Sequence, residues 1–282
     1  MPSESSVGVG GAAVGGQTTV GNMERRVEMV MGLPISLAVR CSPSERGRVD
    51  RAWAECVASL RWADLVFSTY KPDSVISRLG RGEITLSDCP AEVAEVFALG
   101  EAAAADTGGA FTIHPGGSLD PSGVVKGWAA DRASRHLAAL GDLDWCLSAG
   151  GDLVCAAPSG VPWTIGIEDP HDALRLVARW QLVSGALATS GTAHRGAHVV
   201  DGRTGQAAEV LASVSIVADC LTRADIDATG ALALGVDALP WLADRQARRL
   251  IHGFVVVDRA GAVHTQVPHV PDGAQTDRVM PN

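Results

Sequence analysis

The chain has 282 residues, 46% of them hydrophobic and 20% charged, and a net charge of −9. That acidity, with no dense Lys/Arg cluster, excludes a broad nucleic-acid footprint, so an anionic ligand would need a local cation or backbone amides. No uninterrupted run of roughly eighteen apolar residues marks a membrane span, and the six cysteines show no Cys-x-x-Cys spacing for a zinc site or a small disulfide scaffold. A reducing, cytoplasmic setting is the expectation.

Residues 1–22 are Gly, Ser, Val and Ala without period and read as a flexible leader lacking the basic and apolar parts of a secretory signal. Gly8-x-Gly10-x-x-Ala13 formally fits a dinucleotide fingerprint, but no strand precedes it and no helix follows. "RVEMVMGLPISLAVR" alternates as a half-buried strand broken at Gly32–Pro34. An amphipathic helix then runs to Ser68, with Ser42 as cap, Pro43 at the first position and Glu45 completing a capping box. "TYKPDSVISRLGRG" gives a polar turn and a short helical segment. Two further helices follow, "PAEVAEVFALGEAAAADTGG" and "VVKGWAADRASRHLAALG", each stopped by glycine.

The pattern then turns to strands: "WCLSAGGDLVCAA", "WTIGIE", "ARWQLVSGALATS", "HVVDG" and "ASVSIVA". "LTRADIDATGALALG" is a helix, "PWLADRQ" a shorter one, and "HGFVVVDRAGAVHTQV" a hairpin around Ala260–Gly261. Helices and strands fall partly in separate blocks, which predicts an α+β fold, one domain over residues 23–267, and a disordered tail at 268–282.

Several stretches carry polar side chains in a pattern that chemistry could use. "LDPSGVVKGWAAD" sets Asp120 and Lys126 by a helix start, where unpaired N–H groups suit a phosphate; a simple Pro-Gly turn with a solvated lysine explains it equally. Gly150–Gly151–Asp152 ends a strand and would let the backbone approach a ligand, or serve an ordinary turn. "ATSGTAHRGAHVVDGRTG" gathers Thr189, Ser190, His194 and His198 among glycines with little apolar mass, as binding loops do. His198 could act near neutral pH. Tyr70 is the chain's one tyrosine and could stack on a base or flavin ring, or cap an apolar patch. Asp225 and Thr229 share one helical face. Thr222-x-x-Asp225 resembles a capping box, yet a carboxylate and a hydroxyl there could also hold magnesium.

Taken in order, these pieces resemble the ApbE-type FAD:protein FMN transferases over roughly residues 28–267. The matching features are Met31–Gly32, "FSTYKPDSVISRL", Asp120 six residues before Lys126–Gly127, Gly150–Asp152, Thr189–Ser190–Gly191 followed by a histidine and "DGRTG", and Ala224–Thr229. The resemblance implies an ApbE-like arrangement of mixed or antiparallel sheets with packed helices and a cleft between two subregions. It implies magnesium held by the side chains of Asp225 and Thr229 and the main chain of Gly123 and Ala228. FAD would lie against Met31, Tyr70, Ala110, Phe111, Thr112, Asp120, Lys126, Gly150, Gly151 and Val199, with His198 as base. The implied reaction moves FMN from FAD to a serine or threonine of an acceptor flavoprotein and releases AMP. FAD hydrolysis to FMN and AMP, or FAD binding without chemistry, are the alternatives. Three departures stand out: Thr112 and His114 replace the family's usual Asp and Thr, the segment from there to Asp120 is shorter than usual, and Gly80 stands where the family commonly has Asn after Arg-Leu.

Overall fold

The computed structural model describes residues 23–192 and 199–266. The expected leader, the whole of the expected tail, and His194 and His198 lie outside the described residues. The first stretch of alternating apolar residues forms two strands, β1 (Met23–Val30) and β2 (Leu33–Arg40), paired antiparallel. Met31 and Gly32 turn the chain with φ of 57° and 69°, the left-handed pair that matches the twist of a two-residue hairpin. One broken strand was the expectation; its break is a reversal.

Between β2 and β3 (Asp144–Ala149) run four helices: α1 (Arg46–Phe67), α2 (Val75–Gly80), α3 (Ala91–Asp106) and α4 (Ser122–Ser134). The expected capping box forms, with the Ser42 N–H donating to Glu45 at 2.7 Å, although a single 3-10 turn over Pro43–Glu45 precedes α1. Val49, Ala52, Cys56, Leu60, Ala63 and Phe67 recur at helical spacing and are buried, which is why α1 lies flat on its neighbours. α1 packs on α4, and α4 on α5.

Gly150 and Gly151 follow directly on the end of β3, as an ordinary turn. Both have positive φ and form a two-residue turn that joins β3 to β4 (Asp152–Ala156). From β4 the chain leaves the sheet as a hairpin of β5 (Trp163–Asp169) and β6 (Asp172–Leu182), then returns as β7 (Ser184–Gly191) beside β4. The segment expected as a single strand from Ala178 to Ser190 is therefore shared between two sheets. β8 (Leu211–Ala218), α5 (Leu221–Leu234), α6 (Ala238–Ala247), β9 (Gly253–Asp258) and β10 (Val263–Gln266) complete the chain. The main sheet has eight strands in the order β1-β2-β3-β4-β7-β8-β9-β10, every neighbouring pair antiparallel, so the fold is α+β.

This sheet has a core on each face. Ile35, Leu37, Val39, Val214, Ile216, Phe254 and Val256 face the helices. The alternate residues, among them Ala38, Leu153, Val217, Val255 and Val257, face the β5–β6 hairpin with Trp163, Ile165 and Trp180. Two covered faces explain why every residue of β8 is buried, Ser213 and Ser215 included. Trp163 anchors the hairpin, fully buried, with the Arg40 guanidinium 3.9 Å from its ring centre. Truncating it to alanine would cost about 3–5 kcal/mol and loosen the hairpin from the sheet. Leu221–Ala247 is long and apolar enough to cross a membrane by composition, but it spans α5 and α6 and 61% of its most apolar window is buried within the protein, as core helices are.

Candidate functional site: a cleft at one end of the sheet

The site begins where α4 crosses α5. A Cβ on Gly127 would stand 2.6 Å from the Leu221 carbonyl oxygen and 2.8 Å from Asp225 Cβ, so glycine is required for the two helices to approach this closely. The contact delivers the Gly127 N–H to Asp225 Oδ2 at 2.9 Å. In regular α-helix that donor is directed at the Gly123 carbonyl, four residues earlier. Asp225 is not the cap of its own helix. Asp131, on α4, accepts the N–H groups of Leu221 and Thr222, at 2.8 and 2.6 Å, and so satisfies the α5 start from outside. Asp225 is thereby left to face inward, 1% exposed.

Lys126 sits in the second turn of α4 rather than ahead of it, and its side chain is mostly enclosed, 18% exposed. Its ammonium lies against Asp152 Oδ2 and 3.1 Å from Asp225 Oδ1. Asp152, the first residue of β4, is also 1% exposed; its Oδ1 accepts the Thr189 N–H at 2.9 Å, tying β4 to β7. Next along β7, the Ser190 hydroxyl meets the Thr229 hydroxyl at 2.9 Å. Thr229 lies one turn beyond Asp225, as the helical period requires. Burial disfavours the charged ammonium of Lys126, but the two carboxylates outweigh it and raise its pKa, so it stays a cation. Burial raises Asp225 above the usual carboxylate range; Lys126 opposes that shift and the nearby Asp152 reinforces it. Among the described residues one cation thus serves two buried carboxylates, which leaves this cluster a surplus negative charge.

The cluster forms one wall of a cleft of about 530 Å³. Of the residues singled out in the sequence, Gly123, Lys126, Asp225 and Thr229 line it from the helices and Asp120 from the turn into α4. Phe111, Thr112, Gly150, Gly151 and Val199 line it from the surrounding segments. Asp120 also accepts the Ser122 N–H at 3.0 Å, closing the turn into α4. The "DGRTG" turn packs on the segment that departs from the family pattern: Gly202 donates to the Ala110 carbonyl at 2.9 Å, and a Cβ there would meet Thr112 at 3.0 Å. Four expected residues fall outside the lining. Ala110 and Ala228 are fully buried in the core. Tyr70 is 96% exposed beyond the end of α1, and Met31 sits in the β1–β2 turn.

Sequence reasoning missed the opposite wall. Gly166 to His171 and Ala173, at the tip of the β5–β6 hairpin, overhang the cleft, and His171 Nε2 lies 3.3 Å from the Asp258 carbonyl oxygen at the β9–β10 turn. "WTIGIE" reads as an ordinary strand, and the acidic "EDPHD" after it reads as a solvated turn, so Glu168, Asp169 and His171 drew no notice. Asp152 was visible in the Gly-Gly-Asp turn, but its partner Lys126 lies 26 positions earlier, a pairing no local pattern reveals. Among the described residues no three His, Cys, Asp or Glu side chains converge as a metal cage. Any cation in the cleft would be held by a mixed set of carboxylate, hydroxyl and carbonyl oxygens.

Residues 113–251, which hold the whole acidic wall, match the model of the ApbE family. The chain carries an ApbE-family domain. The ApbE fold extends well beyond that segment. The ApbE protein from Thermotoga maritima superposes with a TM-score of 0.74 at 21% identity, covering 86% of this chain and 96% of its own. The flavinyl transferase ApbE of Pseudomonas stutzeri gives 0.70 at 22% identity, over 88% and 97%. The flavin transferase ApbE of Vibrio cholerae gives 0.69 at 20%, over 88% and 98%. No curated protein matches the chain.

Proposed function

We propose that this chain is a magnesium-dependent transferase that moves the FMN part of FAD to a serine or threonine hydroxyl of an acceptor flavoprotein. The observation that carries this reading is the surplus negative charge that the described residues give the cluster of Lys126 with the buried Asp152 and Asp225, on a cleft wall rich in oxygen donors. A buried uncompensated charge is costly, and a divalent cation offsets it.

The donor set fits magnesium. Asp225 supplies a carboxylate and Thr229 a hydroxyl, both hard oxygens. Gly123 lines the cleft beside Thr229, and the donor that helical geometry directs at its carbonyl is the one Asp225 accepts. Among the described residues Asp152 Oδ2 has no hydrogen-bond partner besides its ion pair with Lys126, so the ammonium is held between Asp152 and Asp225. When bound, magnesium would neutralise a diphosphate and stabilise the charge on the leaving phosphate. The chain's own residues do the rest. Lys126 adds a fixed positive charge beside the reacting phosphates, and Ser190 holds the Thr229 hydroxyl in place. The acceptor oxygen bonds to the FMN-side phosphorus as the bond to the bridging oxygen breaks, and AMP leaves with that oxygen. The acceptor's proton passes to a base, for which His198 is the candidate.

Two names among the structural relatives, flavin transferase and flavinyl transferase, support the same chemistry. The test is to incubate the purified full chain with FAD, with and without magnesium, then resolve FAD, FMN and AMP, and repeat with an acceptor flavoprotein. AMP release in step with protein-bound FMN is the expected result. Free FMN and AMP with water as acceptor would make the protein a diphosphatase, and FAD left intact in both mixtures would make it a flavin-binding protein.

A further inference from the structure

We propose that Cys146 and Cys155 are a disulfide site, a bond across β3 and β4 directly behind the cleft. In sequence these cysteines look unrelated; in the sheet they are partners, Cys146 opposite Cys155. The turn fixes what kind of partners they are. A two-residue hairpin turn is flanked by a hydrogen-bonded pair, here Ala149 and Asp152, and antiparallel pairs then alternate outward. Ser148–Leu153 is non-hydrogen-bonded, Leu147–Val154 hydrogen-bonded, and Cys146–Cys155 non-hydrogen-bonded. Such pairs bring Cα atoms to about 4.5 Å with side chains at their closest, inside the roughly 4.4–6.8 Å window of protein disulfides.

The surroundings leave room for the bond. Both side chains point to the hairpin face of the sheet. Their neighbours across the sheet on either side are Ala38, opposite Cys146, and Gly185, opposite Cys155. The row therefore reads Ala-Cys-Cys-Gly, small at both ends. Cys41, Cys56, Cys89 and Cys220 have no cysteine opposite them in any strand pair, and all six cysteines are free thiols in this structure.

Closing the bond takes an oxidant, and a small-molecule disulfide such as glutathione disulfide suffices. One cysteine attacks it and releases one small thiol. The second cysteine then attacks the mixed disulfide and releases the other, so two protein S–H bonds become one S–S bond while the small disulfide is reduced to two thiols. Burial beneath the β5–β6 hairpin pushes Cys155 up to about 12 and raises Cys146 as well, so the thiols exchange while that hairpin is lifted or during folding. A glutathione pool poised as in the cytosol keeps the pair reduced, and an oxidising compartment closes it. The bond would brace the turn that carries Gly150, Gly151 and Asp152 into the cleft.

The test uses the full chain, unfolded under reducing conditions, refolded in a glutathione–glutathione disulfide mixture, and alkylated. Cleavage before Asp152 separates the two cysteines, so a surviving link between the fragments is the disulfide itself. The expected result is one dominant link, Cys146 to Cys155, with the other four cysteines alkylated and a Tm several degrees above that of the reduced protein. Alkylation of both residues, or links scattered among the six, overturns the proposal. Cys155→Ala should lose the link and the dependence of Tm on the redox mixture; a variant that keeps that dependence also overturns it.

Discussion

Asp225 and Asp227 lie two positions apart on α5, both 1% exposed, and they have opposite fates. Asp227 turns away from the cleft and takes both arms of Arg245, at 2.8 Å each, in a pair closed by Asp106 on the guanidinium's other nitrogen. Asp225 turns toward the cleft and shares one ammonium with a second carboxylate. Burial raises both, Asp227 to about 6 against the pull of Arg245, so a shifted carboxylate does not by itself mark the working one. What separates them is charge balance and an open face. A matched, bidentate pair is architecture; a carboxylate with half a counterion beside a ligand-sized cleft is a place to bind a cation.

The largest expected effect breaks that comparison at its working member. Asp225→Ala should lower magnesium-dependent turnover at least about 100-fold, with the circular dichroism spectrum and the Tm largely kept, because Asp131 still caps α5. Turnover close to wild type would remove Asp225 from the metal site. The same truncation two residues later should do the reverse. Asp227→Ala leaves the Arg245 guanidinium buried with one partial partner, at a cost of about 3–5 kcal/mol in urea unfolding, while the molecules that remain folded keep their magnesium affinity. A variant of ordinary stability and lost affinity would show that the two carboxylates have been given each other's roles.

The same contrast explains what the sequence could and could not reveal. Asp225 and Thr229 were legible as a pair because helical periodicity puts them on one face, and α5 itself was evident from its apolar spacing. Whether Asp225 capped its helix was not legible, because the competing cap, Asp131, comes from another helix 90 positions away from Leu221. The charge surplus was hidden for the same reason. It exists only where α4, β4 and α5 meet, and a Gly-Gly-Asp turn has many other uses. The hairpin wall was hidden differently: a chain leaving the sheet after β4 and returning as β7 needs only a short break at Val183, which a run such as "RWQLVSGALATS" does not display. The family pattern carried Tyr70 and Met31 toward the flavin, yet neither lines the cleft in this structure.

Asp152→Asn is the sharper and smaller perturbation. Asparagine can still accept the Thr189 N–H through its carbonyl oxygen, so the β4–β7 tie is kept while one negative charge is removed. Lys126 and Asp225 then balance each other. Magnesium affinity, followed by titration calorimetry, should fall on the order of tenfold, because divalent affinity follows the ligand charge around the site. Tm in the absence of magnesium should hold or rise, since the buried surplus charge is gone. Unchanged affinity would mean that the charge surplus is incidental and that Asp225 and Thr229 act alone.

The smallest effect comes from a third buried carboxylate, remote from the cleft, which shows what a balanced acid does to pH dependence. Asp144 is 3% exposed and burial alone would raise it; the Ser159 hydroxyl at 2.6 Å, the Ser159 N–H at 3.0 Å and Arg40 at 2.9 Å outweigh that and hold it below its ordinary value. Its folded pKa is thus lower than its unfolded one, so its contribution to stability is complete above the ordinary carboxylate value and is lost as pH falls through the folded value. Asp144→Asn should therefore flatten the acid limb of a Tm-against-pH curve below about pH 4 and lower Tm near neutrality. An Asp225→Asn variant should do the opposite, because the folded protein disfavours that charge: its relative stability in the absence of magnesium should improve as pH rises from the ordinary carboxylate range. Two buried aspartates that move the same curve in opposite directions would separate the acid the fold accommodates from the one the cleft keeps exposed to a cation.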